Sequence, residues 1–128
     1  MDPISLMLTT IKNGSLAGKT TLSVAHSQIK EAILECLKRC GFIADYEKKT
    51  RYERLYLDIT LIKNGTASRI SDVKRISKPS RRLYKGVKEI RTFKNGKGAF
   101  VFSTPKGILS DKEAKKEQVG GEIMFSIW

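Results

Sequence analysis

The sequence predicts an α+β fold of two small domains. Residues 1–65 read as an N-terminal α/β sandwich in the order α-β-α-β-β, and residues 66–128 as a C-terminal, mainly β domain with a short helix. Three observations predict this. Apolar residues recur at helical spacing in two early segments and alternate in later ones. The length of 128 residues suits one domain or two very small ones. Charge is divided unevenly: residues 1–65 hold 10 Lys/Arg and 7 Asp/Glu, residues 66–128 hold 15 and 6, so the halves read as separate modules.

Each element has a local reason. Asp2 can cap a first helix, Pro3 fits its first position, and Ile4, Met7, Leu8 and Ile11 form its stripe, with Asn13-Gly14 as the stop. Thr20 to Val24 favours a strand. Ser27 can cap a second helix whose stripe is Ile29, Ala32, Ile33, Cys36, Leu37 and Cys40, stopped by Gly41. Ile43 to Glu47 reads as a strand. Leu55, Leu57, Ile59 and Leu61 alternate with Tyr56, Asp58 and Thr60, a half-buried strand ending at Asn64-Gly65. In the second half, Ile70 to Ser77 and Arg82 to Tyr84 read as strands around Lys78-Pro79-Ser80. Ala99 to Ser103 follows the turn Asn95-Gly96-Lys97-Gly98. Ser110-Asp111-Lys112-Glu113 fits a capping box for a helix ending before Gly120-Gly121. Ile123, Phe125 and Ile127 alternate in a last strand.

Several functions fall away. No apolar run approaches the ~20 residues of a membrane span. Met1-Asp2-Pro3 has neither the basic start of a signal peptide nor the character of an Arg-rich transit peptide. Two cysteines build no disulfide framework and point to a reducing compartment. Gly14 to Thr20 superficially resembles a phosphate-binding loop, but one residue too few separates its glycines, and it leads out of a helix into a strand. Cys36 and Cys40 share the apolar stripe, where thiols pack as small hydrophobes; with His26 as the one further strong ligand candidate, no metal site is expected. A lone histidine also gives little support to nucleophilic catalysis.

Positive charge is the strongest signal. The net charge is +12, and Arg69 to Lys97 carries 11 basic residues against Asp72 and Glu89. Tyr84 and Phe93 sit among those charges, an interleaving that suits stacking on bases or ribose. The pattern points to nucleic acid as partner. Ser103-Thr104-Pro105-Lys106-Gly107 adds hydroxyls, a cation and a small residue between a strand and a capped helix. That combination suits 2′-hydroxyls and base edges in a shallow RNA minor groove.

Spaced motifs along nearly the whole chain resemble the bacterial-type small-subunit ribosomal protein eight family. They are Asp2-Pro3-Ile4, Met7-Leu8-Thr9, Ile11-Lys12-Asn13, Glu31 to Leu37 with Gly41-Phe42-Ile43, Arg75 to Pro79, Arg82-Leu83-Tyr84, Ser103 to Gly107, Asp111, Glu113-Ala114 and Val119 to Ile123. The resemblance implies a non-enzymatic protein without cofactor, metal or small-molecule substrate. It implies binding to the central domain of 16S rRNA, assembly of that region and contact with neighbouring small-subunit proteins. It points to Ser103, Thr104, Lys106, Gly107, Tyr84, Lys78, Arg81, Arg82, Gly120, Gly121, Glu122, Thr9, Lys12 and Asn13 as RNA-binding residues. Pro105 stands where the family usually has a second serine, and Ser80 where it usually has glycine. The segment between Leu61 and Ser77 is short. The Lys-rich composition and terminal Ile127-Trp128 resemble plastid-encoded members, so a chloroplast ribosome is expected slightly ahead of a bacterial one. The rival readings are a general double-stranded nucleic-acid binder and a small nucleotide-binding enzyme using Gly18-Lys19-Thr20.

Overall fold

The computed structural model describes residues 2–64, 67–91 and 98–128. It is α+β, with three α-helices and antiparallel sheets. Two compact units are formed, Pro3–Ser71 and Asp72–Trp128, with Asp2 joining the second. The expected boundary at 65/66, and Gly65, Phe93, Asn95, Gly96 and Lys97 from the sequence reading, lie outside the described residues.

In the first unit the order is α1 (Pro3–Leu16), β1 (Thr21–Ala25), α2 (Gln28–Arg39), β2 (Ile43–Arg51) and β3 (Arg54–Leu61). The strands pair β1-β3-β2. Met7, Leu8 and Ile11 of α1, Ile33, Leu34, Cys36 and Leu37 of α2, and Leu57, Ile59 and Leu61 of β3 are buried. Ile29, placed on the α2 stripe by spacing, is exposed instead, and Leu34 takes the inward position. Ser27 caps α2 as expected, its hydroxyl accepting from the Lys30 N–H at 3.2 Å. A short ribbon, β4 (Lys63–Asn64) with β5 (Ala67–Ser68), follows.

The expected stop at Asn13-Gly14 is wrong. Helix α1 runs through it, and glycine stands at position 14 for packing, since a Cβ there would run into the Leu22 side chain. The stop is Gly18, at φ +74°. There the Gly18 N–H donates to the Ser15 carbonyl at 3.2 Å and the Lys19 N–H to the Gly14 carbonyl at 2.9 Å, closing a Schellman motif. The stretch that looked like a phosphate loop is thus a helix terminus. Strands β2 and β3 meet in a two-residue turn, Tyr52-Glu53, at φ 52° and 62°. That is a type I′ geometry without its usual Asn-Gly.

In the second unit β6 (Val73–Arg75), β7 (Tyr84–Lys85), a 3₁₀ turn (Val87–Glu89), β8 (Ala99–Thr104), β9 (Gly107–Ser110), α3 (Asp111–Glu117) and β10 (Gly121–Ile127) follow in order. The sheet order is β6-β10-β8-β9, with β7 also on β10. Ile90, Phe102, Ala114 and Ile123 form the core under α3. The capping box at Ser110 is present as read: its hydroxyl accepts from the Glu113 N–H at 3.2 Å, and the Glu113 carboxylate accepts from the Ser110 N–H at 3.0 Å. Among the described residues no helix is long and apolar enough to cross a membrane.

One packing contact predicts a pH dependence. The Tyr46 hydroxyl donates to Glu35 Oε2 at 2.7 Å, joining β2 to α2. The Glu35 carboxylate, then burial, push the phenol from 10.0 up to about 12. Because the folded state holds the proton more tightly, the bond stabilises fully below about pH 10 and is lost as pH rises towards 12. Denaturant unfolding of wild type and Tyr46→Phe should differ by a constant amount up to about pH 10, with the difference vanishing near pH 12.

Candidate nucleic-acid interface

The candidate residues of the second unit are organised by β10. Phe125, Ser126 and Ile127 pair with β6, while Gly121 and Glu122 pair with β7. Only Ile123 and Met124 lie between these pairings on β10, so residues 76–83 loop out from the sheet edge. The loop carries Lys78, Arg81 and Arg82, all exposed. Its tip is closed by reciprocal backbone bonds, Lys78 N–H to Arg81 O at 2.8 Å and Arg81 N–H to Lys78 O at 2.9 Å. Ser80 is not among the positive-φ residues, so the usual glycine is not needed there. The base is pinned by Ser77, which is fully buried. Its hydroxyl accepts from the Leu83 N–H at 2.9 Å and donates to the Leu83 carbonyl at 3.3 Å.

Cross-strand register then aligns three distant segments. Glu122 is paired with Tyr84 on one side and Ser103 on the other. Directly paired residues project from the same face, so Tyr84, Glu122 and Ser103 form a row across the sheet. The opposite face carries Ile123 and Phe102 into the core. Tyr84 is 66% exposed. Glu122, 15% exposed, accepts from Arg82 Nη1 at 3.1 Å and thereby ties the loop to the row. The Ser103 hydroxyl has no hydrogen-bond partner among the described residues.

Thr104 and Gly107 close the β8–β9 hairpin, with Pro105-Lys106 at its tip. The Thr104 hydroxyl is largely used within the turn: it donates to the Gly107 carbonyl at 2.7 Å and accepts from the Lys106 N–H at 3.2 Å. Gly107 sits at φ +115°, a conformation that L side chains rarely adopt. Lys106 Nζ lies 3.4 Å from both the carboxylate and the carbonyl of Glu117, at the end of α3.

Gly120 and Gly121 serve close backbone approach rather than offering groups of their own. A Cβ on Gly120 would collide with the Lys85 carbonyl and stand 2.8 Å from Gly86 Cα. One on Gly121 would collide with the Ser103 carbonyl and stand 3.1 Å from Thr104 Cα. The structure thus brings Tyr84, Arg82, Glu122, Ser103, Thr104, Lys106, Gly107 and both glycines into one strand cluster, with Lys78 and Arg81 on the attached loop. Thr9, Lys12 and Asn13 lie on α1 in the other unit, Thr9 and Asn13 exposed four residues apart. Two contributors had not been singled out for a role. Ser77 anchors the loop from within the basic run, where nothing in the sequence sets it apart from Ser71 and Ser80; Glu117 holds Lys106 and has no local signal.

Hydroxyls, an exposed ring and cations on one surface are the equipment of polyanion recognition, phosphate contacts giving position and hydroxyls giving specificity. Comparison with known proteins assigns the class. A family described as ribosomal protein S8 matches residues 2–128, and the chain belongs to that family. The family is structural, not enzymatic. The small ribosomal subunit protein uS8 of Dictyoglomus thermophilum is 44% identical over 127 residues, covering 99% of this chain and 97% of the relative. Those of Persephonella marina and Thermus thermophilus are each 43% identical, covering 99% of this chain and 98% of theirs. These relatives are bacterial and lend no weight to the expected plastid origin.

The glycine geometry predicts an asymmetry. Gly121→Ala must displace backbone and should cost about 1–3 kcal/mol or more. Gly14→Ala meets only the movable end of Leu22 and replaces a helical glycine, so it should cost less. Equal urea midpoints for the two variants would contradict the close-approach account.

Proposed function

We propose that the chain is a structural constituent of the small ribosomal subunit that binds rRNA directly. Its target is the central domain of 16S rRNA, with neighbouring small-subunit proteins around it. The observation that carries this is the row Tyr84–Glu122–Ser103 beside the basic loop 76–83. Lys78 and Arg81 attract phosphate wherever it is presented, a force that does not distinguish sequences. The row supplies the discrimination: the Tyr84 ring offers a stacking face, and the Ser103 hydroxyl can both donate and accept. Glu122 fixes Arg82 against the row, so that its remaining N–H groups point from a defined place. Thr104, already bonded within its turn, shapes the hairpin that presents Lys106.

The division of labour is testable with one binding assay at fixed salt. Ser103→Ala should lower the ratio of cognate-rRNA to bulk-duplex affinity by about fivefold, the worth of roughly 1 kcal/mol for one hydrogen bond. Lys78→Gln with Arg81→Gln should weaken binding to every RNA and flatten the slope of log affinity against log salt by about one per cation removed, leaving the ratio intact. Thr104→Val should cost about 1 kcal/mol of stability, since it opens the turn. A wild-type chain with no preference for rRNA over bulk duplex would instead be a general duplex binder. An unchanged ratio in Ser103→Ala would place specificity elsewhere.

A further inference from the structure

The apex of the β2–β3 hairpin, in the first unit, is left unused by the reading above. Tyr52 is 95% exposed there. It and Glu53 hold φ of 52° and 62°, backbone that Asn-Gly would adopt with far less strain. Stability is given up to place an aromatic ring at the tip, and a strained residue of this kind motivates a search for function.

The hairpin's cations are unequally compensated. Lys48 lies 3.4 Å from Glu31, and Lys49 lies 3.3 Å from Glu47. Arg51 and Arg54 are directly paired across the strands. Arg51 turns back to grip Asp58 with both terminal nitrogens, at 2.9 and 2.5 Å, and Ser23 donates to the same carboxylate at 2.9 Å. Arg54 alone among these four has no acidic partner among the described residues. A guanidinium with no ion pair among the described residues therefore follows the exposed ring by two positions, with Glu53 between them in the chain. Leu55, the next exposed apolar residue along the hairpin, follows Arg54 and so points to the other face. Tyr and Arg also serve protein interfaces, but Lys and Glu are depleted there, and this hairpin exposes Lys48, Lys49 and Glu53 along with its single exposed ring. It suits a flat base on a phosphate chain.

We propose that this tip is a second RNA contact, in which Tyr52 stacks on an unpaired base and Arg54 binds the adjoining phosphate. This rests on the rRNA-binding reading above. The test replaces the tip by a better turn, Tyr52→Asn with Glu53→Gly, and takes Glu53→Gly alone as its reference, so that loss of the acid is common to both. The variant should melt at the same or a higher temperature, yet bind full-length small-subunit rRNA about tenfold more weakly and lose a patch of backbone protection in footprinting. Tyr52→Trp should bind like wild type. Arg54→Gln should make the salt slope shallower by about one. Unchanged affinity and footprint in the Asn-Gly variant would overturn the proposal. If that variant also entered reconstituted subunits poorly, the tip would be a protein contact instead. A wild-type chain without rRNA preference would fail the primary reading first. A wild-type preference that ignores the tip would fail this proposal alone.

Discussion

The second unit depends on how closely two backbone segments approach the start of β10, at Gly120 and Gly121. Gly120 lies against Lys85 and Gly86, and Gly121 against Ser103 and Thr104, at distances that leave no room for a Cβ. Without those approaches, β7 and the end of β8 would not flank Glu122. Tyr84 and Ser103 would then be separate loop residues rather than members of one row. The other end of β10 supplies the rigidity. Phe125 and Ile127 are fully buried, and a bulge between Ile123 and Phe125 presents the Met124 carbonyl to Ile76 N–H at 3.0 Å and Arg75 Nη1 at 2.6 Å. The basic loop leaves the sheet at that point, so its base is fixed before its tip is free to reach outward.

Under the proposed rRNA-binding function, this arrangement separates two physical tasks. Long-range attraction needs charge but little precision, and the exposed turn Lys78-Pro79-Ser80-Arg81 provides it. Discrimination needs groups held within tenths of an ångström, and strand residues provide that better than loops. Among the described residues, the ion pair linking the two, Arg82 to Glu122, is half exposed on the arginine side, so its energetic worth is small. Its value lies in limiting where the guanidinium can be.

Much of the fold was legible because local chemistry and long-range packing agreed. Ser27, Gly41 and the Ser110–Glu113 box marked helix ends by capping groups that act within a few residues. Gly14 was misread because its reason lies in Leu22, across a turn, and not in its neighbours. The Tyr52-Glu53 turn had no turn residues to announce it. Strand β9 does not stand out in the sequence, because Gly107 begins it and only Ile108 and Leu109 carry a strand signal. At the candidate site, residue types and the family resemblance both single out Arg82 to Tyr84 and Ser103 to Gly107, segments that lie side by side on β10. Pairing register did not follow from either: nothing in the order of residues says that Glu122 stands between Tyr84 and Ser103.

Register also changes what the family departures mean. Pro105 removes a hydroxyl from the hairpin tip, which first looks like a loss of recognition. In the structure Thr104 already spends its hydroxyl closing that same turn, and a proline beside it narrows the backbone freedom that closure must overcome. The tip therefore acts as a stiff mount for Lys106, while the Ser103 hydroxyl, one residue back on the strand, has no internal partner among the described residues. Ser80 follows the same logic. The reciprocal Lys78–Arg81 bonds form without positive φ, so the glycine usual at that place is dispensable, and a residue with fewer accessible conformations holds the cations in a narrower range. Both substitutions exchange flexibility for position, which the separation of tasks favours wherever a charged tip is mounted on a rigid sheet.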